Sequence, residues 1–119
     1  MTTTVHSRER SDCAVVALAR ATGRSYDECY RALADCGRKS SHRTHGYTVE
    51  KAIRKLGYKT KARRPGATMK TVHNHAPVGR PAVILCTGHF VAWDGEKVFD
   101  DFSTTTRRKI RIIYDIITD

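Results

Sequence analysis

Residues 11–23 read SDCAVVALARATG. From Cys13 to Ala21 every residue except Arg20 is apolar. Ser11 or Asp12 stands where a helix N-cap is wanted, and Gly23 is a natural stop. A helix that is apolar almost all round must be covered on most sides. The stretch therefore predicts a central helix, and the rest of the chain has to supply its cover.

The residues that follow do so in a clear order. Ser25 and Glu28 form a capping box, and Tyr26, Cys29, Tyr30, Leu33 and Cys36 recur at helical spacing up to Gly37. A basic loop, GRKSSHRTHG, leads to a third helix with Thr48 as expected N-cap, Val49, Ala52, Ile53 and Leu56 as its apolar stripe, and Gly57 as its end. Tyr58 to Arg64 alternates weakly, as an edge strand does, before Pro65-Gly66 breaks it. TMKTVHNHAPVGRP reads as a helical turn or two and then a loop. PAVILCT is an apolar β-branched run suited to a central strand. HFVAW and EKVFDD flank Asp94-Gly95, a strong hairpin signal, and a last strand is expected over Arg107 to Ile117. Helices first and an antiparallel sheet after them is an α+β layout. The expectation is one domain over 1–119, helical over about 11–57 and sheet over about 58–118, with four or five strands.

Composition agrees. The chain has 119 residues, 39% of them hydrophobic and 29% charged, which reads as globular rather than disordered. About two-thirds of the unfolded surface is buried at this size, so no staples are needed. No apolar run reaches the roughly 20 residues of a membrane span. The formal net charge is +10, and ten Lys/Arg against the single acid Glu50 lie between Gly37 and Arg64. Such a block suits an acidic protein or nucleic acid, or else a solvated face.

Four cysteines, Cys13, Cys29, Cys36 and Cys86, stand without a Cys-x-x-Cys pair. Cys36 with His42 and His45, or His73 with His75, could bind zinc, but the paired spacing of structural zinc modules is missing. Cys29 and Cys36 are seven apart and share a helix face, so both read as small core residues.

Cys13 is different. It falls in the first turn of the buried helix, where unpaired N–H groups and the macrodipole favour an anion and lower a thiol's pKa. A base must then face it. His89 opens HFVAW. A two-residue Asp94-Gly95 turn pairs Trp93 with Glu96, Val91 with Val98, Phe90 with Phe99 and His89 with Asp100. A three-residue loop would bring Asp101 opposite His89 instead. Thiol, imidazole and acid together form a triad arrangement. Cys86 also lies near His89 in sequence, but a strand interior does not stabilise a thiolate, so it reads as packing.

SDCAVVALARATGRSYDECYRAL, followed downstream by GHFVAWDGEKVFDDFS, resembles the small papain-like cysteine peptidase domains. It is similar in particular to the double-glycine-leader peptidase-like group and to relatives borne by phages and prophages. The resemblance implies a papain-like fold with Cys13 as nucleophile, His89 as general base and Asp100 as orienting acid. It implies a cysteine-dependent hydrolase or acyl transferase acting on peptide or isopeptide bonds, with no metal or cofactor. The family usually carries an oxyanion-hole glutamine six positions before the cysteine, and Ser7 stands there. Ser7, His6 and Arg10 are the candidates for the second oxyanion donor. The expected partner is a peptide or protein substrate, an acidic one suiting the basic block. Nucleic acid comes second and a membrane is not expected. The alternative is a non-catalytic or weakly catalytic binding module that uses the basic surface. MTTTVHSRERSD has no apolar stretch after its charges, so no secretory leader is expected. The expected location is cytoplasmic, the host cytoplasm for a phage-encoded chain.

Overall fold

A computed structural model describes residues 7–8, 11–99 and 107–118. Three helices come first: α1 (Cys13–Thr22), α2 (Tyr26–Asp35) and α3 (Gly46–Lys55). Five strands follow: β1 (Lys59–Arg63), β2 (Ala82–Cys86), β3 (His89–Trp93), β4 (Val98–Phe99) and β5 (Ile110–Ile117). A 3₁₀ segment, Met69–Asn74, lies between β1 and β2. The strands form one antiparallel sheet in the order β1-β5-β2-β3-β4. The α+β expectation holds, with five strands.

α1 is central, as its composition requires. Ala14 to Ala19 are all buried, and Leu18 has no exposed surface. Gly23 ends the helix, its N–H bonded to Ala19 O. The Ser25 hydroxyl accepts the Glu28 N–H and starts α2. Val15, Leu18, Leu33, Val49 and Ile53 join Val83, Phe90, Tyr114 and Ile116 in one core between helices and sheet. Alternate strand residues point the other way. Ile84, Cys86, Val91, Trp93 and Ile113 pack beneath Met69, Val72 and Ala76. A sheet covered on both faces explains why PAVILCT is apolar throughout instead of alternating.

Three local expectations are corrected. α3 starts three residues early, with His45 rather than Thr48 as N-cap. Gly46 allows this: a Cβ there would overlap the Tyr114 hydroxyl, so only glycine lets the helix head approach the sheet so closely. The last strand starts at Ile110 rather than Arg107. The hairpin register is shifted. β3 and β4 pair Ala92 with Phe99 and Trp93 with Val98, not Phe90 with Phe99 and Trp93 with Glu96. The cause is the Asp94 side chain, whose Oδ1 accepts the N–H groups of both Glu96 and Lys97 at 2.8 Å, while Asp94 N donates to Lys97 O. These bonds build a four-residue loop from Asp94 to Lys97. Gly95 (φ 107) is spent packing against the Gly79–Arg80 backbone, and Gly79 N donates to Gly95 O.

Candidate active site

Cys13 is the first residue of α1, and His89 is the first residue of β3. The helix lies across the sheet so that these two openings meet. The Cys13 thiol is hydrogen-bonded by the His89 ring and by the Phe90 N–H. Burial pushes this thiol up. The two hydrogen bonds, the His89 charge and the Ala14 N–H outweigh it, and the thiol lies below its ordinary value. Both side chains line a cleft bounded also by Ser7, Asp12, Arg20 and Phe99.

The other cysteines have different surroundings. Cys29 is fully buried in the helical core, and burial pushes its thiol up to about 11. Cys86 is buried on the opposite face of the sheet, and its Sγ is 3.3 Å from His89 O. Among the described residues no group of three His, Cys, Asp or Glu side chains is placed to hold a metal ion.

The third member of the expected triad cannot be placed beside Cys13 and His89 from the described residues. Asp100 and Asp101 fall outside the described residues, as do His6 and Arg10. The register that set Asp100 opposite His89 is not the one the hairpin adopts. Ser7 does border the cleft, but its hydroxyl donates to Asp12 Oδ1 at 2.6 Å. In this arrangement its proton is directed at a carboxylate rather than at a substrate oxygen.

Asp12 is the feature that sequence reading undervalued. It is the N-cap of α1, yet its side chain makes no capping bond. It is 3% exposed and reaches back to accept from Ser7 Oγ, from Arg8 N at 2.8 Å and from Tyr26 Oη at 2.7 Å. Ser11 before it is left-handed (φ 59), which costs a non-glycine residue about 1–3 kcal/mol. The Ser11 carbonyl faces the buried Arg38 guanidinium at 3.4 Å. Arg38 was counted with the basic surface and belongs instead to the support of this turn. The only signal in the sequence was a carboxylate beside the cysteine with a tyrosine one helix later.

No protein-family model matches the chain. No curated protein gives a significant match. Among solved structures, the chain is similar to the crystal structure of a double glycine motif protease from an AMS/PCAT transporter in complex with the leader peptide. The TM-score is 0.70 at 20% identity, over 99% of this chain and 93% of the other. The chain therefore shares the papain-like fold of a double glycine motif protease domain, the fold its Asp-Cys helix and His-strand motifs resemble.

Proposed function

We propose that the chain is a cysteine-dependent hydrolase or acyl transferase acting on peptide or isopeptide bonds. The observation that carries this reading is the Cys13 thiol, held at the head of a buried helix, hydrogen-bonded by His89 and lowered below its ordinary value. The similar solved structure is a protease with a leader peptide, which supports a peptide substrate.

In this mechanism the thiol proton passes to His89 as Cys13 Sγ attacks the carbonyl carbon. The carbonyl oxygen becomes an oxyanion facing the Cys13 N–H. Collapse of the intermediate breaks the C–N bond, and His89 returns the proton to the leaving amine. Water or a second amine then takes the acyl group from sulfur. The orienting acid is Asp100 or Asp101. The expected two-residue turn favoured Asp100. The four-residue loop that the hairpin adopts removes that preference. Digestion of a peptide library, read by mass spectrometry, tests the reading. Cleavage that persists in Cys13→Ala would overturn it.

A second reading, a binding module, has one observation behind it. Tyr47 is 59% exposed. It stacks on His45 at 5.3 Å and 8°, with Lys51 Nζ 5.5 Å from its ring. Lys39, Arg43, Lys51, Lys61 and Arg64 are exposed, whereas Arg54, Lys55 and Arg63 face Glu50, Asp35 and Asp115. An acidic protein or single-stranded nucleic acid suits such a surface. A fluorescence titration with short DNA and RNA at low and moderate salt separates the two. Tight, salt-sensitive binding that Tyr47→Ala weakens selects nucleic acid, and no binding at low salt removes it.

A further inference from the structure

Asp12 is a buried carboxylate next to the nucleophile that the mechanism above does not use. Its three bonds tie three pieces of chain to the head of α1: the Ser7 side chain, the Arg8 backbone and Tyr26 of α2. The peptide group that joins Asp12 to Cys13 has its carbonyl committed to the helix, accepting from Val16 N at 3.1 Å. A trans peptide directs its N–H opposite to its C=O. The Cys13 N–H therefore points out of the helix head, to the side where an oxyanion forms on a carbonyl attacked by Cys13. The direction of that N–H is set by the backbone of Asp12 (φ −97, ψ 18) and of the left-handed Ser11. Side-chain bonds of Asp12 and the Arg38 contact to Ser11 O are what hold those two residues.

We propose that Asp12 is a positioning residue: its carboxylate, with Tyr26 as its lever from α2, fixes the Asp12–Cys13 peptide so that the Cys13 N–H is aimed at the oxyanion. The inference rests on the acyl-transfer reading of Cys13. It separates two properties of the same sulfur. The thiolate depends on His89 and the Phe90 N–H. Oxyanion stabilisation depends on Asp12. Asparagine can keep these bonds, its Oδ1 accepting from Arg8 N and Tyr26 Oη and its NH₂ donating to Ser7 Oγ, so the hold is removed by alanine, which keeps none of them.

Two reagents distinguish these properties. Iodoacetamide alkylates a thiolate by direct displacement of iodide at carbon, with no oxyanion. p-Nitrophenyl acetate acylates it through a tetrahedral oxyanion: the S–C bond forms, the C–O bond breaks, and p-nitrophenolate leaves. In Asp12→Ala, acylation of Cys13 should slow about 10- to 100-fold, while alkylation and its pH profile stay within about twofold. Tyr26→Phe removes one of these bonds and should give the same split, at about three- to tenfold, even if Asp12→Ala fails to fold. Equal losses in both reactions would mean a merely structural role and overturn the proposal, as would unchanged acylation in a folded variant. A parent protein whose Cys13 reacts with neither reagent faster than free cysteine would instead sink the acyl-transfer reading itself, and this inference with it.

Discussion

The ring of His89, the first residue of β3, hydrogen-bonds the thiol of Cys13, the first residue of α1. Each side chain stands at the point where its element begins, so the reacting groups sit on rigid supports and face a cleft. The Phe90 N–H adds to the hold on the same sulfur.

That relationship has a direct consequence for thiol chemistry. Because the Cys13 thiol lies below its ordinary value, its thiolate persists toward lower pH and is lost only as pH falls through the lowered value. Iodoacetamide should modify Cys13 first at neutral pH. His89→Ala removes a hydrogen bond and a charge that lower the thiol, so the midpoint of the rate profile should move up. Cys29, pushed up to about 11, should stay unmodified until the protein unfolds. Peptide mapping after timed alkylation reads all of this.

The acid is assigned by two substitutions. Asp100→Asn and Asp101→Asn should differ sharply, one lowering turnover by about 10³-fold or more through the imidazole tautomer and the other by less than about threefold. A large effect at Asp100 alone would restore the first assignment. Equal small effects would mean that neither residue orients His89.

The starts of α1 and α2 were legible because caps and apolar spacing are local. Ser25 with Glu28 and the uninterrupted apolar run from Cys13 to Leu18 need no knowledge of the remaining chain. Cys13 and His89 were legible for the same reason, as each opens an element. The hairpin register was not. Asp94-Gly95 signals a tight turn, but the Asp94 carboxylate prefers two N–H groups further on, and Gly95 is taken up by the Gly79–Arg80 backbone, a contact from another loop. Asp12 was read as a cap because its real partners, Ser7, Arg8 and Tyr26, come together only in the folded chain.

Ser7 gives a gain-of-function test. Its hydroxyl donates to Asp12, so Ser7 as it is arranged offers no donor in place of the oxyanion-hole glutamine usual in the papain-like peptidases this chain resembles. Loss of one such donor typically costs about 10²–10³ in rate. Ser7→Gln should therefore raise the acylation rate by about tenfold while leaving iodoacetamide alkylation unchanged. A rate that stays flat or falls would show that the second donor already comes from elsewhere.

Gly46 tests the packing of α3 on the sheet. Gly46→Ala sets a methyl group against the Tyr114 hydroxyl and should destabilise the fold by about 1–3 kcal/mol. Tyr114→Phe in the same chain should recover part of that loss, so the two substitutions couple in a denaturation cycle. Simple additivity would contradict the close approach.

The most direct test of the central claim is intact-mass spectrometry after mixing the protein with p-nitrophenyl acetate, with peptide mapping of the adduct. The account predicts a single acetyl group on Cys13, formed in the parent and absent in Cys13→Ala. Formation should be slowed about 10²-fold or more in His89→Ala, the double variant being no worse than Cys13→Ala alone. An acetyl group carried by another residue, or full acylation of Cys13 without His89, would contradict it.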